Sequence, residues 1–132
     1  MSGWDAYITN LIDSSEGIKR GAIVGLNDGA IWARSQGDAE FKATDVELRG
    51  LINGFNDINS VPAAGADLEG VHYVVPRVEE NLIFGKKGRQ GFFAAKTATA
   101  ILIAVFEGEA AVGSAARTAV EKLAAYLQDS GY

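Results

Sequence analysis

A chain of 132 residues that is 48% hydrophobic and 22% charged fits one globular domain over 1–132, able to bury roughly 65–70% of the surface its unfolded form would expose. Cysteine is absent, which excludes disulfides, thiolate metal sites and a cysteine nucleophile. The formal net charge of -5 argues against nucleic acid as a partner, since such binders cluster Lys and Arg against phosphates. No basic region followed by an apolar run opens the sequence, and no window nears the roughly 18 apolar residues of a membrane span. A cytoplasmic protein is expected.

The first stretch, Ser2 to Asp13, places Trp4, Tyr7, Ile8, Leu11 and Ile12 at helical intervals, so one face of a helix is buried. Ser2 is suited to cap it and Asp5 to sit among the exposed N–H groups of its first turn. Ser14-Ser15-Glu16-Gly17 reads as a turn, and Gly21 to Leu26 as a buried strand. Asn27-Asp28-Gly29 is a hairpin signal, because Gly supplies positive φ without steric cost. Ala30 to Arg34, carrying Trp32, is the returning strand. Thr44-Asp45-Val46-Glu47 has the capping-box pattern and opens a second helix over about Asp45 to Phe55.

Beyond Pro62 to Gly65, alternation replaces helical spacing. Strands are predicted at Ala66 to Leu68, Val71 to Val75, Leu82 to Lys86, Gly91 to Lys96 and Thr99 to Phe106, with links such as Glu79-Glu80-Asn81 too short for crossover helices. They must therefore meander antiparallel. Ala100 to Phe106 is apolar at consecutive positions, as for a central strand covered on both faces. A third helix follows over about Gly113 to Leu127, with Ala116, Val120, Leu123 and Leu127 on one stripe.

Catalysis is hard to build from this inventory. His72, the single histidine, stands on a predicted strand with no nucleophile motif or metal-ligand spacing beside it. Glu79-Glu80 reads as a solvated turn rather than a paired-carboxylate site. Gly85-Lys86-Lys87-Gly88-Arg89-Gln90-Gly91 lacks the ending of a phosphate-binding loop and leads into a strand. It is either a plain hairpin turn or a basic patch for an acidic partner, which Arg77, Lys96 and Arg117 would widen if the fold gathers them. The aromatics are the sharper signal. Trp4, Tyr7, Trp32, Tyr126 and Tyr132 serve either as core or as a groove for a polyproline II helix, which docks between flat rings that also donate hydrogen bonds.

Trp4-Asp5-Ala6-Tyr7-Ile8 with Asn10-Leu11, Gly25 to Trp32, Phe84-Gly85-Lys86-Lys87-Gly88, and Val120 to Leu127 ending in Tyr132 together resemble the profilin family, in order and over essentially the whole length. The resemblance implies an α+β fold: a central antiparallel meander sheet of about six or seven strands, the N- and C-terminal helices packed together on one face and smaller helices on the other. It implies a polyproline site of Trp4, Tyr7, Trp32, Tyr126, Leu127 and Tyr132, with Tyr126 standing where many animal members carry His. It implies an actin face of His72, Arg77, Lys86, Val112, Gly113, Arg117 and Thr118, where Val112, Arg117 and Thr118 depart from the animal pattern. The function so implied is binding of monomeric actin and of proline-rich segments of actin nucleation or elongation factors, with faster nucleotide exchange on actin and no catalytic residue, cofactor or metal. A monomer associated with the cytoskeleton is expected. Phosphoinositide binding through Lys86, Lys87 and Arg89 is the alternative function, and in so acidic a chain it is expected to be weak.

Overall fold

The computed structural model describes residues 4–15, 17–37, 40–79, 81–108 and 110–132. Ser2, Glu16 and Glu80, read above as a helix cap and as parts of turns, lie outside the described residues. The helix of the first stretch, α1, runs over Trp4–Asp13 with Asp5 in its first turn, and buries Ile8 and Leu11. Strand β1, Ile18–Gly25, turns back into β2, Ile31–Arg34. In that turn Gly29 takes a φ of 71° and the Ala30 N–H donates to Asp28 Oδ1 at 3.0 Å, so the Asp-Gly pair closes the hairpin as its chemistry requires.

Helix α2 spans Asp45–Asn56 behind a complete capping box: the Glu47 N–H donates to Thr44 Oγ1 at 3.2 Å and the Thr44 N–H to Glu47 Oε1 at 2.8 Å. The same Glu47 carboxylate accepts the Glu69 and Gly70 N–H groups at 3.0 and 2.7 Å. One side chain thus stops two backbone ends, the helix start and the turn between the strands that follow. A 3₁₀ turn, Ile58–Ser60, and the one-turn helix α3, Val61–Ala64, lead into β3, Ala66–Leu68. Then come β4, Val71–Glu79, β5, Leu82–Lys87, β6, Gln90–Lys96, and β7, Ala100–Glu107, before the long helix α4, Ala110–Asp129.

The seven strands form one antiparallel sheet in the order β2-β1-β7-β6-β5-β4-β3. Strands β3 to β7 meander, and β1 then pairs with β7, carrying β2 to the edge. Strand β7 is interior, one place from the middle, which β6 occupies. Its run of apolar residues is shared between the two faces: Leu102, Ala104 and Phe106 join a core with Leu11 of α1 and Val120 of α4, while Ile101, Ile103 and Val105 join one with Leu51 of α2 and Val61 of α3. The terminal helices therefore cover one face and the small helices the other.

Three elements differ most from expectation in their bounds. Strand β4 continues through Pro76 to Glu79. Its register with β5 shifts between Val74 and Arg77, and a bulge of this kind is where a strand tolerates a residue without an N–H. Strand β1 starts three residues earlier than its apolar run, because Ile18 and Arg20 pair with Phe106 and Val105 of β7; the Arg20 Nε lies 2.9 Å from both carboxylate oxygens of Glu69. Helix α4 extends past the apolar stripe at both ends.

Candidate functional site: an aromatic cluster and a basic-rimmed depression

Trp4 and Tyr7 project one turn apart from α1, with ring centroids 5.5 Å apart. The β1–β2 hairpin places Trp32 5.1 Å from Trp4. From the end of the chain, Tyr132 sets its edge against Trp4 at 4.6 Å, the planes at 80°, and lies 6.4 Å from Trp32. Tyr126 of α4 lies 5.7 Å from Tyr7. Five rings from the helix pair, the edge hairpin and the chain end thus meet at one corner of the molecule.

The cluster is open to solvent. Tyr126 and Tyr132 are 54% and 40% exposed, and Trp4, Tyr7 and Trp32 are half-buried. Rings required only for the core would be closed over; these present flat faces and, in the tyrosines, hydroxyl donors. Partial burial first, and then hydrogen bonding with Tyr126, hold the Tyr7 phenol above its usual value. Leu127 differs from its neighbours. Its side chain is fully buried, so it offers no surface to a ligand. From Tyr7 and Tyr126 a shallow groove of about 460 Å³ continues between α1 and α4, past Asn10, Ser14 and Lys122.

A second concavity, of about 500 Å³, opens where β4, β5 and β6 meet the start of α4. Its floor is Leu82 with Phe84, Phe93 and Phe106, three rings stacked with centroids 4.9 to 6.3 Å apart. Its rim carries Arg77, Lys86, Arg89 and Arg117, with Gly113 and Ser114 from α4. Glu79 ties two of these cations together, hydrogen-bonding Arg117 and lying 3.6 Å from Arg77. Arg117 also bonds Glu121 one turn on; these carboxylates, Glu121 first, raise the guanidinium above its usual value.

The other expected actin contacts fall unevenly about this depression. Val112 packs on the helix-side core. Thr118 is exposed one turn beyond Ser114, its hydroxyl donating to the Ser114 carbonyl at 3.1 Å. His72 stands apart, at the start of β4, with its Nδ1 2.7 Å from Asp67 Oδ1 on β3. Lys96 lines a neighbouring hollow with Glu79 and Arg117. The hairpin cations are split: Lys86 and Arg89 reach the depression, but Lys87 shares the alternation of Ile83, which packs on the opposite face. The apolar floor and Glu79 went unrecognised in the sequence, although Leu82, Phe84 and Lys86 at alternate positions of one strand were its available signal. Among the described residues no group of three or more His, Cys, Asp or Glu side chains is arranged to hold a metal ion.

An open ring cluster and a basic-rimmed apolar depression on an α+β frame define a binding module with two surfaces. The sequence profile of the profilin family matches residues 2–132. The chain is 60% identical to profilin-2 and 55% identical to profilin-1 of Caenorhabditis elegans, with the whole of each chain covered. It is 41% identical to profilin-1B of Acanthamoeba castellanii over 98% of each. The chain belongs to the profilin family, whose members are actin-binding proteins and not enzymes. Among solved structures, profilin II of Acanthamoeba castellanii superposes with a TM-score of 0.86 at 34% identity, covering 98% of this chain and all of the other. Mouse profilin IIa, solved in complex with a double repeat from the FH1 domain of mDia1, superposes at 0.76 over 99% of this chain and 100% of its own; at 22% identity the likeness is one of fold.

Proposed function

We propose that this chain is a two-faced adaptor that holds an actin monomer over the basic-rimmed depression and a proline-rich segment in the aromatic cluster. The convergence of Trp4, Tyr7, Trp32, Tyr126 and Tyr132 at half-exposed positions carries the second assignment. A polyproline II helix leaves its carbonyls unpaired and has little conformational entropy to lose, and rings with N–H and O–H edges match both properties. That a profilin of this fold was solved with an FH1 double repeat supports the same reading. Arg77, Lys86 and Arg117 around the phenylalanine floor suit a partner with an acidic rim and an apolar centre, and membership of an actin-binding family supports actin as that partner. Acceleration of nucleotide exchange on actin would follow from a conformational effect on the bound monomer. The working location is the cytoplasm, at the actin cytoskeleton.

Phosphoinositide binding is the lesser activity in this reading, because Lys87 faces away from Lys86 and Glu79 already occupies Arg117. The deciding experiment is a titration with polyproline followed by tryptophan fluorescence, since Trp4 and Trp32 are both in the proposed groove. A saturable change without lipid is expected. An unchanged spectrum at saturating peptide would overturn the assignment.

A further inference from the structure

Tyr132 lies beyond the end of α4, where a chain is ordinarily frayed, yet four main-chain hydrogen bonds fix it. Its N–H donates to the Leu127 carbonyl at 2.8 Å. Its main-chain oxygen accepts three bonds from the β6–β7 turn: the Thr99 N–H at 2.7 Å, the Thr97 hydroxyl at 2.9 Å and the Thr99 hydroxyl at 2.9 Å. Thr97 is buried and Thr99 exposed, and neither belongs to the ring cluster.

The Thr97 hydroxyl shows that the bond to Tyr132 is not incidental to the turn. It accepts the Ala100 N–H at 3.2 Å and has one proton to give, with the Ala100 carbonyl at 3.3 Å and the Tyr132 oxygen at 2.9 Å as choices. The Ala100 carbonyl already receives the Thr97 N–H at 2.8 Å, so the proton is best used on Tyr132. We infer that Thr97 and Thr99 are positioning residues of the proline site: they clamp the main chain of Tyr132 so that its ring stands edge-on to Trp4 before any ligand arrives. A wall ordered in advance spares the ligand the entropy of ordering it, which raises affinity without adding a contact.

This inference rests on the proline-binding reading, and its test separates the two. Nuclear Overhauser effects between the Tyr132 and Trp4 rings are measured in the free protein, alongside melting and polyproline titration, for the unaltered chain, Thr99→Val, Thr97→Val/Thr99→Val and Thr97→Ser/Thr99→Ser. Thr99→Val removes one exposed hydroxyl bond and should fold normally, keeping the test valid if the double valine variant does not fold. Its polyproline affinity should fall about threefold to tenfold, the range of one lost hydrogen bond, with a weakened ring contact and an almost unchanged melting temperature. The serine pair should restore both. Unchanged ring contact and affinity in folded Thr99→Val would overturn the clamp, as would serine variants that fail to rescue. Loss of the ring contact with full polyproline affinity would overturn the positioning role while leaving the proline reading intact. Failure of the unaltered chain to bind polyproline would overturn that reading and the role with it.

Discussion

Trp4 touches three other rings of the cluster, those of Tyr7, Trp32 and Tyr132, and it also packs against the core shared by α1 and α4. Trp4→Ala should therefore lower polyproline affinity by about 2 kcal/mol or more, as removal of a central aromatic anchor does. Circular dichroism separates that loss from unfolding, and full affinity in a folded variant would refute the placement of the groove. Gly85 makes a different point. It stands just before Lys86 and Lys87 in a run that suggests a phosphate loop; in the fold, a Cβ added there would stand 2.2 Å from the Phe92 ring. Gly85→Ala should cost about 1–3 kcal/mol by overpacking, read as a lower denaturation midpoint with polyproline affinity intact. That glycine's role was illegible in the sequence because it depends on a ring across the strand pair. The buried state of Leu127 was readable, since it completes the stripe of Ala116, Val120 and Leu123.

At the scale of elements, what local chemistry specifies was legible. The capping box at Thr44 and the Asp-Gly turn at Asp28 each concern residues within a few positions, and both form as the side chains require. The extension of β4 through Pro76 was not, because a bulge depends on the register with β5. The terminal segment is the most consequential case. A Tyr just past the expected helix end could be read as folding back on the cluster, but the donors to its main-chain oxygen lie in the β6–β7 turn, 33 to 35 residues away. Deleting Gly131 and Tyr132 should thus do more than remove a ring: it takes the acceptor from the Thr99 hydroxyl and leaves the Thr97 hydroxyl only the longer contact with the Ala100 carbonyl. The expected result is loss of polyproline binding and a destabilisation of about 1–2 kcal/mol, seen as a melt lowered by several degrees. A melt identical to that of the full chain would show that the tail is not anchored.

For the whole molecule, the sheet order keeps the two surfaces apart. Strand β2, which carries Trp32, and β5, which carries Lys86, are four places apart, roughly 19 Å at the usual strand spacing. Arg117 and Tyr126 are separated by about 14 Å along α4. Charge reversal by Arg77→Glu or Lys86→Glu should weaken actin binding while leaving polyproline affinity unchanged, measured by sedimentation with monomeric actin. The stability of the frame has its own pH signature. Burial is the first cause raising both the Tyr7 and the Tyr73 phenols, and Glu69 raises Tyr73 further. A proton held more tightly in the folded state contributes stability that is complete below the unfolded tyrosine value of about 10 and is lost as pH rises through the folded value. Melting temperature should therefore show no pH dependence from these phenols near neutrality and fall in the alkaline range beyond about pH 10. Tyr73→Phe should shrink that fall.

One small frame with two separate surfaces should hold both partners at once. The most direct test is polyproline titration of the chain alone and in the presence of saturating monomeric actin, followed in an analytical ultracentrifuge with a labelled peptide. The expected result is the same peptide affinity in both cases and a boundary in which actin, this chain and the peptide sediment together. Peptide displaced from the chain by actin would contradict it.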